Sequence, residues 1–147
     1  MRKEIFSNVT ISYMRRTGAY GPENAIMMEQ LKSYLKTHQL LDYDTVILGI
    51  ALDNPQEVSE DKLRYDVGVL VDDQNVIDGL EHRKLEDSTY AVFEVAHTVE
   101  GVQNFWANLA DLTIGLKVDF QKPIIERYAF EKITQHLCEF GIPLVAE

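Results

Sequence analysis

The chain has little of what most function classes require. A single cysteine, Cys138, excludes an intrachain disulfide and any multi-cysteine metal site, as expected of a reducing compartment. No apolar run approaches the roughly 20 residues that cross a bilayer. The N-terminal Met1-Arg2-Lys3-Glu4-Ile5 lacks the apolar stretch of a signal peptide, so a cytoplasmic protein with no membrane partner is expected. Basic residues are scarce: 14 Lys and Arg stand against 24 Asp and Glu, a formal charge of -10 that repels a nucleic-acid backbone and argues against direct nucleic-acid binding. There is no glycine-rich phosphate loop, no H-E-x-x-H, no C-x-x-C and no G-x-S-x-G elbow. The four histidines, His38, His82, His97 and His136, lack metal-ligand spacing, and neither a metal nor a cofactor is expected.

What is present is a core-forming composition. At 147 residues and 46% hydrophobic, the chain suits one domain, 1–147, with a single core. Alternation around Val9-Thr10-Ile11-Ser12-Tyr13 predicts a strand, and Thr17-Gly18-Ala19-Tyr20-Gly21 breaks it. Pro22 and Glu23 suit a helix start, followed by an apolar stripe at Met27, Leu31, Tyr34 and Leu35. Strands follow over 45–52 and 63–71. The order then recurs: a strand over 90–97, a helix after Gly101 carrying Val102, Phe105, Trp106, Leu109, Leu112 and Leu116, and strands over 124–130 and 137–145.

Each half therefore reads as β-α-β-β, over about 4–71 and about 88–147, joined by a polar connector over about 72–87. Two such units predict an α+β domain: antiparallel sheet backed by two helices, related by a pseudo-twofold axis, with a cleft between the halves.

One residue breaks the apolar pattern. In Lys122-Pro-Ile-Ile-Glu-Arg-Tyr128, strand parity places Glu126 on the same face as Ile124, Tyr128 and Phe130. A carboxylate among apolar neighbours demands a cation, a donor or a proton. Within the chain, Arg64, Arg127 or a tyrosine hydroxyl could meet that demand; otherwise a ligand does.

Several segments together resemble the GyrI-like small-molecule-binding domain, also found as the effector-binding half of AraC-type and MerR-type regulators. They are Tyr13 to Asn24, Gly49 to Pro55, Leu63-Arg-Tyr-Asp66, Tyr90-Ala-Val-Phe93, Pro123 to Tyr128 and His136-Leu-Cys-Glu139, in the family's order. The resemblance implies a cleft lined by aromatic and aliphatic side chains, with Glu126 matching the carboxylate that meets lipophilic cations in multidrug-sensing members. It further implies that His97 and His136 replace aromatic pocket residues, and that Tyr65, Tyr90, Trp106 and Tyr128 line the cleft. Because the likeness begins near Met1, it is to the stand-alone, gyrase-inhibitor-like form, with no room for a DNA-reading unit ahead of it. Three functions follow as expectations: capture of a lipophilic, cationic or heteroaromatic small molecule; modulation of gyrase or a regulator as protein partner; and hydrolysis of cyclopropane-type electrophiles, with Glu126 as base and Tyr65 or Tyr90 as donor.

Overall fold

Eight strands form one antiparallel sheet, and the computed structural model describes residues 1–146. In chain order they are β1 (Arg2–Phe6), β2 (Thr10–Thr17), α1 (Pro22–Thr37), β3 (Val46–Ala51), β4 (Arg64–Val71), β5 (Glu81–Lys84), β6 (Ser88–Ala96), α2 (Val99–Ala107), α3 (Leu109–Leu112), β7 (Ile125–Ala129), α4 (Phe130–Ile133) and β8 (Leu137–Leu144). The fold class is the α+β arrangement expected. Strands run across the sheet as β1-β6-β8-β7-β3-β4-β2-β5.

That order is a palindrome of the two halves. β2, β4 and β3 of the first half mirror β6, β8 and β7 of the second, and the halves meet where β3 pairs with β7. The ladders fix the equivalences: Gly68 of β4 faces Leu48 and Tyr13, as Gly141 of β8 faces Ile125 and Val92. Asp66-Val67-Gly68 thus corresponds to Glu139-Phe140-Gly141, a likeness too short to see as a repeat in the sequence.

Two strands escaped the sequence reading. β5 lies inside the stretch read as a connector, and β1 precedes the first predicted strand. Neither has an apolar alternation: β1 exposes Ile5 (78%) and turns Glu4 inward, and β5 is Glu-His-Arg-Lys. Both are edge strands, which proteins commonly armour with charge. They also exchange places. β1 precedes the first half yet pairs with β6, whereas β5 precedes the second half yet pairs with β2.

Only three residues link β1 to β2, although these strands are first and seventh in the sheet. The sheet must therefore curl back on itself. Its inner face buries Ile11, Tyr13, Leu48, Ile50, Tyr90, Val92 and Ile125 without help from any helix. Two buried acids share this face. Asp66 accepts Arg15 (2.6 and 2.9 Å) and Arg83 (2.8 Å), and Glu139 accepts Arg127 (3.0 Å) and Arg2 (2.5 Å). The paired arginines hold the Glu139 carboxyl below its ordinary range against the opposing effect of burial.

The helices cover the outer face. α1 starts at Pro22 and seats Met27, Leu31 and Leu35 on Ile47, Val67 and Val69; α2 seats Phe105 on Phe93 and Phe140. Thr98 caps α2 by accepting the Gly101 amide (2.9 Å), so Gly101 lies in its first turn. A side chain there would meet the Ala96 carbonyl oxygen at 2.4 Å. The second helix is shorter than its apolar stripe suggests: it breaks at Asn108, and Leu116 lies beyond α3. Among the described residues, no helix is long and apolar enough to cross a membrane.

Candidate functional site

β7 sits mid-sheet, beside the seam, where α1 and α2 leave the outer face open. Parity divides it: Ile125 and Arg127 turn inward, and Glu126 and Tyr128 turn outward into the gap. Directly opposite Glu126 in the β3–β7 ladder is Gly49. Since Gly49 has no Cβ, Tyr65 reaches across it from β4; an added Cβ would lie 2.2 Å from the Tyr65 hydroxyl and 2.9 Å from Glu126 Oε2.

The Tyr65 hydroxyl donates to Glu126 Oε2 at 3.0 Å, and the Tyr128 hydroxyl donates to the same oxygen at 2.7 Å. Neither candidate arginine takes part. Arg64 is clamped to Asp53 (3.0 and 2.9 Å), and Arg127 points inward to Glu139 and Glu4. Among the described residues, Glu126 Oε1 has no hydrogen-bond partner, yet it is not among the fully buried orphan atoms. Oε1 is therefore reachable, and the cleft is the space from which it is reached.

Burial raises the Glu126 carboxyl above the ordinary range, and the two tyrosine hydrogen bonds only partly offset this. Burial and the neighbouring carboxylate push both Tyr65 and Tyr128 far upward. Both phenols stay protonated and act as donors.

The cleft has a volume of about 380 Å³ and is bordered by Gly21 and the stretch of α1 from Asn24 to Lys32, Glu29 included, by Tyr65, and by His97, Glu126 and Tyr128. Its aromatic floor runs from Tyr65, which Tyr20 backs edge-on (6.1 Å), past Glu126 to Tyr128, which meets His97 edge-on (5.6 Å). Burial, the Lys32 ammonium and His136 all lower the His97 pKa, which favours the neutral imidazole.

Of the residues singled out from sequence, Glu126, Tyr128, Tyr65 and His97 come together here. His136 sits in the exposed turn before β8 and supports His97 through its backbone carbonyl, which accepts the His97 amide at 2.8 Å. Trp106 is 42% exposed on α2 and packs edge-on against Phe140, the ladder partner of Glu126, so it flanks the site without lining the cavity. Tyr90 lies elsewhere. β6 turns Ala91, Phe93 and Val95 toward α2, which sends Tyr90 to the inner face, 4% exposed against Phe6, with its hydroxyl raised to about 12 by burial. It is thus separated from Glu126 by the sheet.

The sequence reading passed over Gly49 as a site residue, and with it Asn24, Met28 and Lys32 of α1. The three α1 residues recur every four positions, a signal present in the sequence but masked by the stronger apolar stripe beside it. Among the described residues, no group of three metal-ligating side chains forms.

The profile of the GyrI-like small molecule binding domain matches residues 2–144. The SPbeta prophage-derived protein YosT of Bacillus subtilis (strain 168), whose name proposes a transcriptional regulator, is 36% identical over 144 residues, covering 96% of each chain. Two solved structures share the fold. SAV2435, bound to tetraphenylphosphonium, is 16% identical with a TM-score of 0.64, covering 99% of this chain and 93% of its own. The EcmrR C-terminal domain is 11% identical with a TM-score of 0.68, covering 99% and 97%.

Proposed function

Because this chain belongs to the GyrI-like small molecule binding domain family, we propose that its cleft captures lipophilic cations, with Glu126 as the counter-charge and Tyr65, Tyr128 and His97 as the aromatic surround. The observation that carries this reading is the state of Glu126: one oxygen saturated by two phenols, the other open to a cavity, and no basic partner among the described residues. An ionised carboxylate so enclosed is costly, and a cation relieves that cost. Aromatic faces add about 0.5 to 2 kcal/mol per cation contact. The tetraphenylphosphonium bound by SAV2435 supports a ligand of this type for the shared fold.

Two probes of the same shape and opposite charge test the reading. Tetraphenylphosphonium is expected to raise the melting temperature with concentration, and tetraphenylborate to leave it unchanged. Equal shifts from both would leave hydrophobic burial alone as the driving force and remove Glu126 from the account.

The same three side chains favour a second reading, hydrolysis of a reactive electrophile. A carboxylate with a raised pKa serves as a general base toward water, and Tyr65 or Tyr128, rather than the distant Tyr90, donates to the leaving atom. Incubation with an electrophilic cyclopropane and recovery of unchanged substrate would end this reading for that class.

A further inference from the structure

The α1 wall of the cleft differs chemically from its floor. Asn24, Met28 and Lys32 form one ridge along the helix, facing the cavity that contains Glu126. Among the described residues the Lys32 ammonium pairs with one acid, Glu29, which is exposed, borders the cleft as well, and lies at a loose 3.4 Å. Such a surface contact contributes little and is readily exchanged. Asn24 uses its Oδ1 to accept from Arg16 (2.7 Å), and among the described residues its amide nitrogen donates to nothing. His97 borders the same space and feels the charge of Lys32. A neutral imidazole contributes a donor without adding a second positive charge.

The ammonium and amide donors of the α1 wall, beside the Glu29 carboxylate, and the imidazole at the end of the floor thus border the same cavity as the open carboxylate oxygen of Glu126. A ligand that is only cationic meets Glu126 but also faces Lys32, which repels it. A ligand carrying both charges satisfies both walls.

We infer that Lys32, Asn24 and His97 form a second recognition element for a carboxylate, so that the preferred ligand class is amphoteric: a lipophilic body with a cationic centre at Glu126 and an acidic group at the α1 ridge. This rests on the proposed pairing of Glu126 with a cation and specifies the other end of that ligand. Glu29 is the internal competitor that the ligand's carboxylate displaces from Lys32.

The test uses tetraphenylphosphonium bearing one ring carboxylate, at the meta or para position, against the corresponding methyl esters, by titration calorimetry. At least one acid is expected to bind about fivefold tighter than its ester, the scale of a part-exposed ion pair. Lys32→Gln should weaken the acid and strengthen the ester, collapsing the preference. Glu29→Gln should widen it. If an ester binds and neither acid exceeds it, the second element is overturned while the Glu126 reading stands. If neither acid nor ester binds the wild type, both are overturned.

Discussion

At the scale of single residues, ligand capture depends on where the proton of Glu126 resides. Strand parity in the sequence was enough to place this carboxylate among apolar side chains, since alternation depends only on the chain's own geometry. Its partner was not legible, because the choice among Arg64, Arg127 and the tyrosines is made by contacts such as that of Tyr65 with Glu126, 61 positions apart. The folded pKa lies above the ordinary value, so the folded chain holds this proton more tightly than the unfolded one. The associated stability is complete below the unfolded carboxylate pKa and is lost as pH rises through the folded pKa. Glu126→Gln carries no such loss. In thermal melts without ligand, the variant is expected to exceed the wild type by a few °C above that folded pKa, roughly the effect of 1 kcal/mol in a domain of this size, with the gap closing in acid. A constant gap at all pH values would show that the carboxyl is not the group responsible. Ligand binding has the complementary sign. A permanent cation prefers ionised Glu126, so affinity rises with pH through the same range, and calorimetry in buffers of different ionisation enthalpy should register proton release.

At the scale of elements, the strong patterns located their elements, although α2 ends before its apolar stripe does, and the weak ones left theirs hidden. α1 and the central strands have apolar periodicity because they bury a face. β1 and β5 hide because an edge strand is held by backbone ladder bonds and armoured with charge, which leaves no alternation to find. Gly49 illustrates the same limit within the site. A glycine in an apolar strand reads as neutral, and its importance appears only when β3, β4 and β7 are side by side and the Tyr65 hydroxyl occupies the space a Cβ would fill. Gly49→Ala is expected to cost about 1–3 kcal/mol in urea unfolding by overpacking. The same change should weaken cation binding by detaching Tyr65 from Glu126. Adding Tyr65→Phe should recover part of the stability, because the hydroxyl is the closest atom to the new methyl. Purely additive losses in the double variant would contradict this geometry.

At the scale of the whole molecule, two half-domains are bound together by exchanged strands. The element order of the halves was legible, but the exchange was not, because nothing local to β1 names β6 as its partner. Since each half completes the other's edge, the halves are expected to unfold together. Fluorescence of Trp106, the chain's one tryptophan, and far-UV circular dichroism should then follow a single urea transition. Behind the cleft floor, Arg127 ties β7 to both Glu139 and Glu4 on the inner face. Arg127→Met strands most of a buried acid's charge compensation and is expected to destabilise the fold by about 3 kcal/mol, measured in the same urea experiment. All of this framework serves to hold one carboxylate oxygen open between the halves, and titration calorimetry with tetraphenylphosphonium at mildly alkaline pH tests that claim most directly. Wild-type protein is expected to bind, and Glu126→Gln to bind at least about tenfold more weakly while remaining folded. Equal affinity of the two proteins would contradict the assignment of Glu126 as the group that holds the ligand's charge.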